Sequence, residues 1–198
     1  MRNATVARKS KETNIAISLK LDGHGKTSVK TGLSFLDHML TLLGTHGLYD
    51  LTVKASGDLE IDRHHTNEDI GLVLGQAFDQ ALKDRKGIAR FGFAYVPMDE
   101  ALARVVLDFS GRAKLVLRDG RAGGKGLSSS TDYSWGDAEH FLESFARTAK
   151  LTIHVDVLSG VDFHHTCEAV FKALGRALEQ ATRRDPRVKG VPSSKGRL

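Results

Sequence analysis

The sequence is short of several things, and each shortage closes off a class of protein. Of its 198 residues one is cysteine, Cys167. A single cysteine excludes an internal disulfide framework, and a reduced, cytoplasmic protein is the simplest expectation. No run approaches the roughly 18 apolar residues that a membrane-spanning helix needs. The opening MRNATVARKSKETN lacks the apolar middle of a secretion signal. Aromatic residues make up 7% of the chain and do not interleave with the basic ones, which weakens a stacking platform for nucleic acid. GHGKT fails as a phosphate-binding loop, because Lys20 stands where the glycine five residues before Gly25 is required. No GxSxG elbow occurs.

What is present is an ordinary globular composition, 40% hydrophobic and 27% charged, enough for one compact domain or two small ones sharing a core. The net charge of +5 suits a nucleic acid or an anionic small substrate such as a phosphate ester. Arg183, Arg184, Arg187, Lys189, Lys195 and Arg197 crowd the last segment against one acid, Asp185. Composition alone reads that segment as a solvated tail.

The chain repeats itself. Residues 51–81 and 151–181 align without gaps and are identical at 12 of 31 positions, among them His64/His164, His65/His165, Thr66/Thr166, Glu68/Glu168 and Gly75/Gly175. The period is too long for a solenoid, so two similar half-domains are expected. Each half reads as strands, helix, strand, helix. NIAISLKLDGHGKTSVKT alternates around DGHG and predicts a hairpin. SFLDHMLTLLGTH, with Ser34-x-x-Asp37 at its start, predicts a helix. YDLTVKAS predicts a strand, and HTNEDIGLVLGQAFDQALKD a long helix ending near RKG. The second half predicts two or three strands within residues 88–118, a Gly/Ser-rich loop at 119–132, then helix, strand and helix.

The repeated phrases HHTNE (64–68) and HHTCE (164–168) carry the chemistry. At a helix start, side chains four apart lie one turn apart and nearly eclipsed. Imidazole plus carboxylate in one narrow sector is a donor set for a borderline metal ion. The adjacent histidines cannot easily grip one ion together. His64 and Glu68 are therefore expected to share one ion while His65 reaches another, and likewise His164, Glu168 and His165. The competing reading, a polar helix cap, is weaker because histidine pairs cap poorly. His38, on an otherwise apolar helix, and His154, on a strand facing the same side as Thr152 and Asp156, bring the set to six histidines and two glutamates. His24 reads as a turn residue and His140 as a helix-surface residue. Nothing in the sequence marks Cys167 as a nucleophile.

Together TGLSFLDHML, IDRHHTNEDIGLVLG, GIARFG, PMDEALARVVLDFSGR, TIHV, HHTCEAVFKALGRAL and VPSSKG resemble the imidazoleglycerol-phosphate dehydratase family of histidine biosynthesis, from about Arg8 to Leu198. The resemblance implies an α/β (α+β) fold like ribosomal protein S5 domain 2: a duplicated half-domain whose two four-stranded mixed sheets enclose four helices. The pseudo-repeats would span about 1–88 and 89–182, followed by a basic segment, 183–198. It implies dehydration of D-erythro-imidazole glycerol phosphate to imidazole acetol phosphate with two Mn(II) per active site, and no nucleic-acid or membrane partner. The implied metal ligands are His38, His64, His65, Glu68, His154, His164, His165 and Glu168. Implied substrate contacts add Glu12, His46, Arg90, Arg112, Ser193, Ser194 and Lys195. Glu12, His65, Glu68, His165 and Glu168 would take part in catalysis, with Glu12 as general acid/base. The implied assembly is a homo-oligomer, a 24-mer built from trimers, with each site made by neighbouring subunits. The chain departs from the family pattern at Asp162, Cys167 and the helix WGDAEHFLESFA.

Two rivals stay open. A dinuclear metallohydrolase would share the ligands but release inorganic phosphate. A basic nucleic-acid-binding protein with structural metal would bind in a salt-sensitive way that survives loss of the ligands.

Overall fold

The computed structural model describes residues 1–120 and 133–198. The chain runs β1 (Asn3–Lys9), β2 (Thr13–Lys20), β3 (Thr27–Lys30), α1 (Ser34–His46), β4 (Asp50–Gly57), α2 (His64–Leu82), and then repeats the order. The second half is β5 (Phe91–Met98), β6 (Ala101–Asp108), β7 (Lys114–Asp119), α3 (Trp135–Ala149), β8 (Thr152–Ser159) and α4 (Phe163–Thr182). Most of the loop expected at 119–132 lies outside the described residues.

Each half forms a four-stranded mixed sheet, ordered β1-β2-β4-β3 and β5-β6-β8-β7. Period-two alternation sets which face is buried. In β2, Thr13, Ile15, Ile17 and Leu19 point inward; in β6, Ala101, Ala103, Val105 and Leu107 do the same. The inner faces receive the helices, so two sheets enclose four helices. The hairpin expected within residues 14–31 does not form. β2 pairs with β1 and β4, while β3 joins the far side of β4 in parallel register, Thr27 opposite Leu51. A parallel partner requires a crossover, and here β3 and β4 are joined through α1.

The helices pack across the two halves, α2 on α3 and α4 on α1. Glycine makes the approach possible. A Cβ on Gly75 of α2 would stand 2.5 Å from the Phe145 carbonyl oxygen of α3, and one on Gly175 of α4 would stand 2.5 Å from the Leu43 carbonyl oxygen of α1. The duplicated glycines thus bring each doubled phrase against a helix of the other half. All four helices begin at one end of the molecule, where Phe35 stacks on both Tyr133 and Phe163.

Candidate metal centre

Local capping sets the doubled phrases at their helix starts. Asp162, one of the departures noted above, is the N-cap of α4 and accepts from the His165 N–H at 2.9 Å. At α2 the Asp62 carboxylate accepts from the His64 N–H at 2.7 Å. Helical spacing then aligns His164 with Glu168 and His64 with Glu68, one turn on.

The first cluster joins α4 to α1. Nε2 of His38 and Nε2 of His164 each lie 2.9 Å from Oε1 of Glu168, and donor atoms of the three residues fall within 4.8 Å of one another. Lys172, one turn further along α4, pairs with the other carboxylate oxygen. Burial works to raise the Glu168 carboxyl, but hydrogen bonds from Lys172, His38 and His164 outweigh it and hold the group at about 2. Glu168 is therefore anionic throughout the neutral range.

The second cluster joins α2 to α3 and departs from the sequence expectation. Its third member is His140, read above as a surface residue. Donor atoms of His64, Glu68 and His140 lie within 4.8 Å of one another, and the His64 and His140 rings stack at 4.4 Å. Arg147 of α3 donates to Glu68 Oε1 at 2.7 Å. His154 is not brought to either cluster. It sits on β8 between Val106 of β6 and Val116 of β7, on the face opposite the buried Ile153 and Val155, so it points away from all four helices. A signal for His140 exists in the sequence. With Ala138 and Glu139 as a two-residue insertion, His38-Met39-Leu40 aligns with His140-Phe141-Leu142.

The second histidine of each phrase faces a carboxylate instead. His65 Nδ1 lies 3.0 Å from Asp58 Oδ2, and His165 Nδ1 lies 2.8 Å from Glu100 Oε2. Those hydrogen bonds raise both imidazole pKa values. Glu100 is held at about 2 by the Asp162 backbone N–H, by His165 and by the Val161 N–H. Glu12, exposed in the β1–β2 turn, has no side-chain hydrogen bond or ion pair among the described residues; its charge raises the His65 pKa through space.

The expected phosphate-binding residues gather elsewhere. Arg90 lies just before β5 with φ 73°, its guanidinium bound bidentately to Asp108 at 2.6 and 3.0 Å and to the Pro192 carbonyl at 2.8 Å. Arg112 follows the Gly111 turn, against which the C-terminal Leu198 rests. Ser193, Ser194 and Lys195 form a short turn near this end, with Gly196 N–H donating to the Ser193 carbonyl. His46 closes α1 beside a cleft lined by Arg176, Glu179 and Arg183, its pKa lowered by burial and then by Lys172 and Arg176.

The chain is thus a duplicated α/β domain that brings together two His/His/Glu donor sets able to hold a metal ion. The model of the family described as imidazoleglycerol-phosphate dehydratase matches residues 31–178. Relatives of that name from Methanocella arvoryzae and Bacillus pumilus are 52% and 50% identical, each covering 100% of both chains. The crystal structure of the Pyrococcus furiosus enzyme in complex with (S)-C348 superposes with a TM-score of 0.82 at 35% identity, over 98% of this chain and 100% of that one. The Staphylococcus aureus enzyme gives 0.79 at 37% identity, over 92% and 99%. The chain belongs to the imidazoleglycerol-phosphate dehydratase family, hydro-lyases of histidine biosynthesis.

Proposed function

We propose that the chain converts D-erythro-imidazole glycerol phosphate to imidazole acetol phosphate and water, using two manganese ions per active site. The observation that carries this reading is the pair of three-donor clusters, His38/His164/Glu168 and His64/His140/Glu68. Imidazole and carboxylate donors this close together fit a divalent first-row metal. These six residues would hold the ions. His65 and His165 turn Nδ1 to Asp58 and Glu100, which leaves Nε2 to complete the sets; at His165 that nitrogen has Asp99 Oδ2 3.7 Å away. His140 replaces His154 in the proposed ligand list.

The bound ions would supply Lewis acidity toward the imidazole ring and a substrate oxygen. In the reaction the hydroxyl on the carbon next to the ring departs, and the neighbouring carbon gives up its hydrogen. The resulting enol takes a proton at the ring-side carbon and loses its O–H proton, leaving the ketone. One water is released and no redox equivalent is needed. Glu12, a carboxylate unpaired among the described residues and close enough to shift His65, is the candidate proton carrier.

The same reading includes a homo-oligomer, a 24-mer of trimers, in which neighbouring copies complete each site. Its support is spatial. β6 runs from Ala101, next to the Glu100–His165 contact, to Asp108, which holds Arg90. Eight residues at about 3.3 Å each separate the two ends by roughly 25 Å. A glycerol phosphate cannot bridge that gap, so Arg90, Arg112 and Ser193–Lys195 would serve a neighbour's metal centre. An exposed aromatic row on β5, Phe91, Phe93 and Tyr95, offers apolar surface for such packing. A cytoplasmic setting belongs to the same reading; no helix among the described residues is long and apolar enough to cross a membrane.

Incubation with imidazole glycerol phosphate tests the reaction. The expected outcome is one ketone per substrate consumed with no inorganic phosphate; phosphate release would identify the hydrolase instead.

A further inference from the structure

The duplication places Glu12 and Glu100 at matching points. Each is the last residue of a hairpin turn, directly before β2 and directly before β6. Their surroundings differ. Glu100 Oε1 accepts from the Val161 and Asp162 backbone N–H groups at 3.1 and 2.9 Å, which leaves Oε2 aimed at His165 Nδ1. In the first half the corresponding histidine, His65, is met by Asp58 from the β4–α2 connection. The Asp58 backbone N–H donates to the Glu12 carbonyl at 3.1 Å, so Asp58 sits between the Glu12 turn and His65. Asp58 Oδ2 is thereby committed to the ring, and the Glu12 carboxylate has no hydrogen bond or ion pair among the described residues.

We infer that Asp58 and Glu100 are positioning residues that hold His65 and His165 as Nδ1–H tautomers, so that each ring presents the Nε2 lone pair to a divalent cation. A neutral imidazole carries one ring proton, and the group that binds one nitrogen decides which nitrogen is left to coordinate. A carboxylate accepts only, so at 3.0 and 2.8 Å it requires the proton on Nδ1. The two halves reach this same end with non-equivalent residues. Because Asp58 takes over the task in the first half, the carboxylate that does it in the second half has a counterpart, Glu12, released for other chemistry. Neither Asp58 nor Glu100 touches a donor cluster, and no spacing rule in the sequence links either to its histidine.

This inference rests on His65 and His165 acting as ion ligands, and two measurements separate its failure from the failure of that reading. The first is Mn2+ affinity of the full chain by competition with a chelator. Asp58→Asn and Glu100→Gln are each expected to weaken binding by ~10- to 100-fold. Affinity unchanged in both orienter variants overturns the inference and leaves the metal reading standing; a wild-type chain that binds no Mn2+ overturns both. The second is neutron diffraction from crystals of the metal-free wild-type chain, which does not depend on the variants folding. A deuteron on Nδ1 of both rings is expected; one on Nε2 of either, with Nδ1 bare, overturns the assignment.

Discussion

His64 and His140 stack face to face at 4.4 Å, although they belong to different halves of the duplication and to helices separated by three strands, β5 to β7, in sequence. The contact exists because α2 lies against α3 at Gly71 and Gly75. It makes His140, rather than His154, the counterpart of His38.

Substitution should therefore separate the two histidines. His140→Ala is expected to lower manganese affinity and turnover about as much as His64→Ala, by at least ~10-fold. His154→Ala, on the outer sheet face, is expected to stay within about twofold of wild type. Steady-state kinetics across a manganese titration check both.

The close helix approach can be tested at Gly75. Alanine in a helix interior is ordinarily favoured over glycine by about 1 kcal/mol. Here its Cβ would stand 2.5 Å from the Phe145 carbonyl oxygen and 2.1 Å from Thr148 Oγ1. The clash should win, so Gly75→Ala is expected to destabilise the fold by about 1–3 kcal/mol in denaturant titration. A stabilised variant would mean that α2 and α3 do not pack this way.

The C-terminal segment should matter to substrate more than to folding. Deleting residues 191–198 removes the Pro192 carbonyl from Arg90 and the Ser193–Lys195 turn, but no strand or core helix. A large rise in KM, or loss of activity, is expected with the circular-dichroism melt little changed. Full activity in the truncated chain would remove that segment from the site.

Cys167 should be chemically silent. It is buried, and burial followed by the Asp162 charge pushes its thiol far above the ordinary range. No reaction with a thiol reagent is expected in the native chain at mildly alkaline pH, and one equivalent is expected after unfolding.

Much of this was legible in the sequence, and each miss has a physical cause. The order of elements, the long helices and the place of the doubled phrases at helix starts depend on spacing within a few residues, and those readings hold. His38 was legible as a candidate, because it stands out on an apolar helix. His140 was not, because the insertion of Ala138 and Glu139 breaks the offset of one hundred that reveals the rest of the repeat. The misread hairpin has a different origin: β3 alternates like a hairpin arm, but its partner is β4, reached through α1 in parallel register. β1 leaves little pattern in the sequence, because only Val6 of its seven residues is buried. Asp58 and Glu100 leave no pattern at all, since their contacts with His65 and His165 are made through tertiary structure.

The two-cluster claim is tested most directly by titrating metal-stripped protein with Mn2+ while recording both bound equivalents and dehydratase turnover. Two equivalents per chain are expected, with no turnover before metal is added and full turnover once both are bound. Turnover that survives stripping, or saturation at fewer than two equivalents with full activity, would contradict it.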